Sequence, residues 1–285
     1  MNLKNYIYEN IMCRWLIYIG KEITLNEILF NGENSIIKQS YKKTFTPFLE
    51  EPNKRDHEIN ADGFGIGWYN NTLQEPCLYI STNTPWGDIN IRKLSNYITS
   101  KFIFAHIRAI KPLSLSIIHE YNCHPFTHRN FMFMHNGDIK NFISFKKKIV
   151  NDLKDDVYKI IKGNTDSEFA FAIFLNFLDK ETFFDGRQLE INFFKEIVIK
   201  TIKKLVKYGN NIPMSMNFAF TDGNTIICTR YINNDEEPPS LYFRIMENSA
   251  IISSEPVDYD DNWKYITKNN LVIYSKNTIS IEPIL

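Results

Sequence analysis

Ten short segments rich in aromatic and β-branched residues surround one helical stretch, and that order limits the fold more than any other feature of the chain. Residues 14–19, 65–69, 77–81, 102–108, 131–135, 215–221, 225–231, 240–243, 250–253 and 271–275 are expected as strands. Between 131–135 and 215–221, residues 166–177 and 190–208 carry apolar side chains at helical spacing, and Thr165-Asp166-Ser167-Glu168 offers capping chemistry at the start of the first. Strands before and after a helical middle, without regular strand–helix alternation, argue for an α+β layered domain over a doubly wound parallel sheet. There is no internal repeat and no clear linker. The polar, proline-ended loop 233–239 is expected to join two neighbouring strands of one sheet.

Composition narrows the function classes. With 285 residues and 44% hydrophobic content the chain can fill a sizeable core. Lys plus Arg and Asp plus Glu both total 33, so no global basic field exists to hold a nucleic acid backbone. Cys13, Cys77, Cys123 and Cys228 are scattered without a C-x-x-C pair, against a disulfide framework or structural zinc and in favour of a reducing, cytoplasmic setting. No run approaches the ~18 consecutive apolar residues of a membrane span. Residues 1–11 hold one Lys or Arg (Lys4), a Glu9 and no long apolar core, which argues against a secretory leader.

The run Met12-Cys13-Arg14-Trp15-Leu16-Ile17-Tyr18-Ile19 carries the sharpest chemistry. If the chain starts at Met12, or loses residues 1–12, Cys13 bears both a thiol and an α-amine, the latter titrating near about pH 7.7–8.0 and able to act as base. A misassigned start or a removed propeptide gives the same product; otherwise a cysteine here is a small buried hydrophobe. Asn60-Ala61-Asp62-Gly63-Phe64-Gly65-Ile66-Gly67 marks a turn or a close backbone approach and lacks dinucleotide-binding spacing. Arg108, ending a strand, can clamp a carboxylate or form a surface ion pair. His106 reads as a packed core histidine. Asn122-Cys123-His124-Pro125-Phe126 is a polar turn whose adjacent Cys and His seldom face each other. Asn136 and Gly137, straight after a strand, can donate to an oxyanion or form an ordinary Asn-Gly turn. Asp166 can meet an ammonium group or cap its helix.

Taken in order, Cys13, the His106-Ile107-Arg108, Asn122-Cys123-His124-Pro125-Phe126, His135-Asn136-Gly137 and Thr165-Asp166-Ser167-Glu168 segments, Ser253-Ser254-Glu255-Pro256 and Asn262-Trp263 resemble the class II glutamine amidotransferases, which are N-terminal-nucleophile hydrolases. Met12 to Ile17, the Asn122 segment and Phe133 to Gly137 are most similar to the stand-alone branch found in fungal-type alternative glutathione-degradation complexes; a branch acting in ergothioneine synthesis shares many of the motifs. The resemblance implies a four-layer αββα sandwich over residues 13–285, with residues 1–12 an extension absent from the active form. It implies Cys13 as nucleophile, Asn136 and Gly137 as oxyanion donors, Arg108 on the substrate α-carboxylate and Asp166 on its α-ammonium. It further implies a γ-glutamyl substrate, glutamine or glutathione, no metal or organic cofactor, and a peptidase subunit as partner. Ile110-Lys111-Pro112-Leu113 departs from the family pattern, so no further substrate contact is assigned to that loop. Two alternatives stay open: a non-catalytic regulatory subunit if Cys13 keeps its peptide bond, and metal binding by Cys123, His124, His106 and His135.

Overall fold

The computed structural model of the chain describes residues 12–42, 45–47, 59–70, 74–110 and 117–284. The extension 1–11 and most of the loop holding Lys111, Pro112 and Leu113 lie outside the described residues. The chain divides into two compact units, the first made of the described residues up to Asn70, Cys77–Pro125 and Ser240–Ile266, the second of Gln74–Pro76, Phe126–Pro239 and the segment from Thr267 on.

The first unit is built on a seven-stranded sheet, ordered β11-β9-β10-β1-β4-β2-β3. Its strands are β1 (Arg14–Thr24), β2 (Phe64–Trp68), β3 (Cys77–Ser81), β4 (Thr99–Ile107), β9 (Tyr242–Met246), β10 (Ser249–Ser253) and β11 (Lys264–Tyr265). Every pairing is antiparallel. β1 lies at the centre because its apolar run Trp15-Leu16-Ile17 is fully buried and needs strands on both edges. Leu16, Tyr18, Phe64, Ile66, Ile103, Ala105 and Tyr242 supply one face of strand residues to this unit's own core, joined by Ile36 and Ile37 of the short helix α1 (Ile36–Gln39) and by Ile91 of α2 (Ile89–Leu94).

The second unit holds a six-stranded antiparallel sheet, ordered β13-β12-β8-β7-β6-β5. Its strands are β5 (Phe126–His128), β6 (Phe131–Ile139), β7 (Met214–Thr221), β8 (Ile226–Arg230), β12 (Asn270–Ser275) and β13 (Thr278–Pro283). Helices α3 (Phe142–Asp152), α4 (Asp155–Lys159), α5 (Asp166–Asn176), α6 (Lys180–Asp185) and α7 (Ile191–Tyr208) complete it. The core is phenylalanine-rich. Phe133 stacks on Phe171 of α5 with ring centres 5.4 Å apart and meets Phe220 at 4.6 Å, while Phe174 touches Phe131, Phe194 and Phe220. Residues 167–175 of α5 are all buried, which accounts for a helix apolar on every side, whereas α7 buries only Phe194, Ile197, Val198, Thr201, Ile202 and Leu205 along one stripe.

Each expected strand segment coincides with or overlaps an observed strand, and both expected helices form. The α+β class, with two antiparallel sheets and helices, is therefore as expected. Two expectations fail. The loop 233–239 does not join neighbours of one sheet, because β8 belongs to the six-stranded sheet and β9 to the seven-stranded one. The physical reason lies at Pro238 and Pro239, which have no N–H to continue a ladder; their carbonyls instead accept from the buried Arg230 guanidinium (3.1 and 3.0 Å), and Pro239 also from Asn217 Nδ2 (2.7 Å). Asn136 and Gly137 do not follow a strand either: β6 runs through them to Ile139, paired with Asn217 and Met216 of β7. Helix α3 was not anticipated, although Phe142, Phe145 and Ile149 bury one face at helical spacing. Its run of three lysines hides that stripe in a polar-looking sequence.

Candidate active site

In the first unit, Cys13 directly precedes β1 and is half-buried. The register of β1 against β4, with Arg14 opposite Ile107, brings it to the residues that follow β4. There the Ala109 N–H donates to Cys13 Sγ over 3.4 Å, while the Cys13 thiol can donate to Ala109 O over 3.7 Å. The peptide bond before Cys13 is held as well. Met12 O accepts from Arg14 Nη1 (2.9 Å) and from Asn60 Nδ2 (3.1 Å). Arg14 is buried and paired through Nε with Glu255, whose other oxygen accepts from Phe45 N at 2.8 Å. Ser254 closes the same junction, its Oγ accepting from Trp15 N at 3.0 Å and its N donating to Trp15 O at 2.9 Å. Ser254 and Glu255 thus fix the start of β1. The resemblance drew attention to their segment without giving it a role, and the only sequence signal was an unexplained Ser-Ser-Glu-Pro run far down the chain.

Arg108 follows β4 and is buried, so it is no surface ion-pair arginine. Its N–H donates to Gly63 O at 2.9 Å, and its Nη1 donates to the carbonyls of Ile117 (3.1 Å) and Asp62 (3.4 Å). Asp62 in turn accepts from Ile110 N at 2.7 Å, tying the exit of β4 to the entry of β2. The glycines of this segment are a matter of close approach: a Cβ on Gly65 would lie 2.1 Å from His124 O, and one on Gly63, at φ +106°, would lie 2.6 Å from Cys123 Sγ. Cys123 contacts the carbonyls of His119 and Ser81, and burial pushes its thiol up to about 11. The His124 ring lies against that of His106, centres 4.0 Å apart, both buried. His106 is the packed histidine expected. Among the described residues no group of three or more His, Cys, Asp or Glu is arranged to hold a metal ion. All four cysteines are reduced thiols, and burial raises that of Cys228 far above the ordinary range.

In the second unit, Asn136 and Gly137 sit in mid-strand on β6. A Cβ on Gly137 would lie 2.1 Å from Ser215 O and 2.7 Å from His135 Nε2, so only glycine leaves this stretch of backbone in position. An ordinary Asn-Gly turn is excluded. Asp166 is the first residue of α5, but Thr165 is the cap, its Oγ1 accepting from Glu168 N at 3.2 Å. The Glu168 carboxylate accepts from Lys162 N (2.7 Å) and Gly163 N (2.8 Å), while burial raises its pKa. With capping assigned to Thr165, the Asp166 carboxylate bridges two elements: Oδ2 accepts from Ile139 N at the end of β6 (3.1 Å) and Oδ1 from Ser167 N (2.8 Å), with Ser167 Oγ 3.2 Å from Oδ1. Cys13 and Arg108 thus belong to one unit, and Asn136, Gly137 and Asp166 to the other.

The fold recurs in solved glutamine amidotransferase structures. It is shared with a glutamine aminotransferase class-II domain protein from Silicibacter pomeroyi (TM-score 0.66, 23% identity, 96% of this chain and 100% of that one). It is also shared with glutamine phosphoribosylpyrophosphate amidotransferase from B. subtilis (TM-score 0.61, 14% identity, 96% of this chain and 49% of that one). The chain belongs to the class II glutamine amidotransferases, whose family model matches residues 26–235. Among curated proteins it is similar to the probable glutamine amidotransferase DUG3 of Saccharomyces cerevisiae, 33% identical over 96% of this chain and 85% of that protein. It is also similar to the gamma-glutamyl-hercynylcysteine sulfoxide hydrolase of Mycobacterium tuberculosis, 20% identical over 95% of this chain and 96% of that protein. No helix among the described residues is long and apolar enough to cross a membrane.

Proposed function

We propose that the chain hydrolyses a γ-glutamyl amide bond through a thioester on Cys13, with residues 13–285 as one catalytic domain and residues 1–12 absent from the active form. The observation that carries this reading is the Cys13 thiol at the head of the central strand, its sulfur contacted by the Ala109 N–H. In the reaction the α-amine of Cys13 takes the thiol proton and Sγ bonds to the γ-carbonyl carbon. The C–N bond then breaks as the proton passes to the leaving amine, and water cleaves the thioester. Asn136 and Gly137 donate to the oxyanion, Arg108 holds the α-carboxylate and Asp166 the α-ammonium. No cofactor is required by these steps. Similarity to a probable glutamine amidotransferase and to a gamma-glutamyl-hercynylcysteine sulfoxide hydrolase supports glutamine or another γ-glutamyl compound as substrate. Glutathione as that compound, a cytoplasmic role in its catabolism and a peptidase subunit as partner are proposed from the motif resemblance alone.

The test is an assay of protein beginning at Cys13 for ammonia release from glutamine and for cysteinylglycine release from glutathione, with and without the peptidase. Release of either product that is lost in Cys13→Ala supports the reading; no release from either substrate under any condition rejects it. A second reading has one observation in its favour. The Met12 carbonyl is gripped by Arg14 and Asn60, as a permanently attached extension would be, and a peptide-bonded Cys13 nitrogen is no base. Intact mass read beside activity separates this non-catalytic regulatory subunit from the enzyme: loss of residues 1–12 in active protein fits the α-amine mechanism, their retention in inactive protein fits the regulatory subunit, and their retention in fully active protein rules out the α-amine mechanism.

A further inference from the structure

His135 is a buried imidazole that the reaction above does not use, yet both of its nitrogens are engaged. Nδ1 lies 2.9 Å from Ser167 Oγ and Nε2 lies 3.2 Å from Ser215 O. A carbonyl oxygen only accepts, so Nε2 carries a hydrogen in either charge state. The Ser167 hydroxyl, with a single proton, stands between two acceptors: His135 Nδ1 and, at 3.2 Å, Asp166 Oδ1. It can serve only one of them at a time.

With neutral His135 the hydroxyl donates to Nδ1, and Asp166 keeps the backbone donors Ile139 N and Ser167 N. A carboxylate has about four acceptor positions, so roughly two are left for a ligand. With protonated His135 the order reverses: Nδ1–H donates to Ser167 Oγ, and the hydroxyl turns to Asp166 Oδ1. An acceptor position is then filled, and a positive charge lies two hydrogen bonds from the carboxylate. Both changes oppose a substrate cation at Asp166.

We propose that His135 and Ser167 are positioning residues that set, through the direction of this one hydrogen bond, how well Asp166 accepts a substrate α-ammonium group. The proposal rests on the reading of Asp166 given above. Among the described residues, Asp166, at the start of α5, and Asp138, on its own strand, are charged groups that act on His135, and both favour the cation. Burial opposes them and is the larger influence, holding the imidazole below its ordinary range and hence neutral near pH 7. Phe218, packed against the ring with centres 4.9 Å apart, contributes no charge.

The experiment compares KM for L-glutamine with KM for 4-carbamoylbutanoate, the same amide without its α-amino group, between about pH 5 and pH 7, where the substrate's own α-groups do not titrate. In wild-type protein KM for glutamine should rise as pH falls below the His135 titration, by up to about tenfold per pH unit, because the binding-competent fraction shrinks. KM for the analogue should not follow it. Ser167→Ala and His135→Gln should each flatten the ratio of the two KM values, the glutamine side chain offering hydrogen bonds without titrating. A wild-type ratio that does not change as the His135 ring takes up its proton, followed by NMR, a ring that stays neutral throughout this range, or a pH-dependent ratio that persists in both variants, overturns the proposal. Asp166→Asn separates it from its premise. If that variant leaves the ratio unchanged at pH 7, the α-ammonium assignment itself fails; if it abolishes the preference for glutamine while the wild-type ratio ignores pH, only the relay fails.

Discussion

The start of β1 and the middle of β6 both hold a stretch of backbone in a fixed position, but by opposite means. Around Cys13 the chain is irregular, and long polar side chains reach across it to take up carbonyls: Arg14 and Asn60 on Met12, Arg108 on Ile117 and Asp62. At Asn136-Gly137 the backbone is a regular strand, aligned residue by residue with β7, and what it needs is the absence of a side chain. The first region is held by contacts between residues as far apart as Arg14 and Glu255, the second by a ladder and one glycine. Side-chain truncation should therefore damage the first region, and added bulk the second.

The largest effect is expected at the cysteine. Cys13→Ala should lower kcat/KM by on the order of 10⁴-fold or more, as loss of a covalent nucleophile does, with thermal unfolding little changed. A glutamine-like electrophile should label Cys13 while sparing Cys123 and Cys228, whose thiols burial keeps protonated. Labelling of those two at a rate equal to Cys13 would count against the assignment.

Asn136→Ala comes next, with kcat reduced by about 10²–10³ because the charge it meets develops only in the transition state. Unchanged kcat would remove Asn136 from the oxyanion site. Arg108→Ala should raise KM by roughly 10², the scale of truncating one member of a buried charge pair, with a smaller loss of kcat. It also leaves the Ile117 carbonyl without that donor, so a drop in stability together with the KM change is the outcome that fits a side-chain-anchored region.

Gly137→Ala tests the other half of the comparison. Its Cβ would meet Ser215 O at 2.1 Å, so β6 and β7 must move apart locally, at a cost of about 1–3 kcal/mol by denaturant unfolding. An alanine variant as stable and active as wild type would contradict the close approach. The smallest effect is on pH dependence. His135 is held below its ordinary range by burial, so the unfolded chain binds the proton first as pH falls from about 6.5. Stability should then decline with acidity by up to about 1.4 kcal/mol per pH unit until the folded-state value is passed. His135→Gln should remove that component of the slope; an unaltered slope would mean that His135 does not contribute.

Periodicity alone determined much of this molecule. The apolar runs of β1, β4, β6 and β7 and the two long helices could be read because their side chains alternate or recur on one face, a property of neighbouring positions. The order of motifs was likewise enough to resemble one family, and the family match agrees. Tertiary structure decided what local pattern does not contain. Whether Asn136-Gly137 turns or continues depends on β7 as a partner and on Ser215 O lying where a Cβ would stand. Whether 233–239 closes a hairpin or leaves the sheet depends on Arg230 and Asn217 capturing proline carbonyls. That Asp166 bridges two elements instead of capping its helix became visible only with Thr165 in the capping position and Ile139 N within reach. Each of these outcomes turns on a hydrogen bond or a steric contact outside the periodic pattern of neighbouring positions, as between Asp166 and Ile139 or Gly137 and Ser215, and such contacts exist only after the chain has folded.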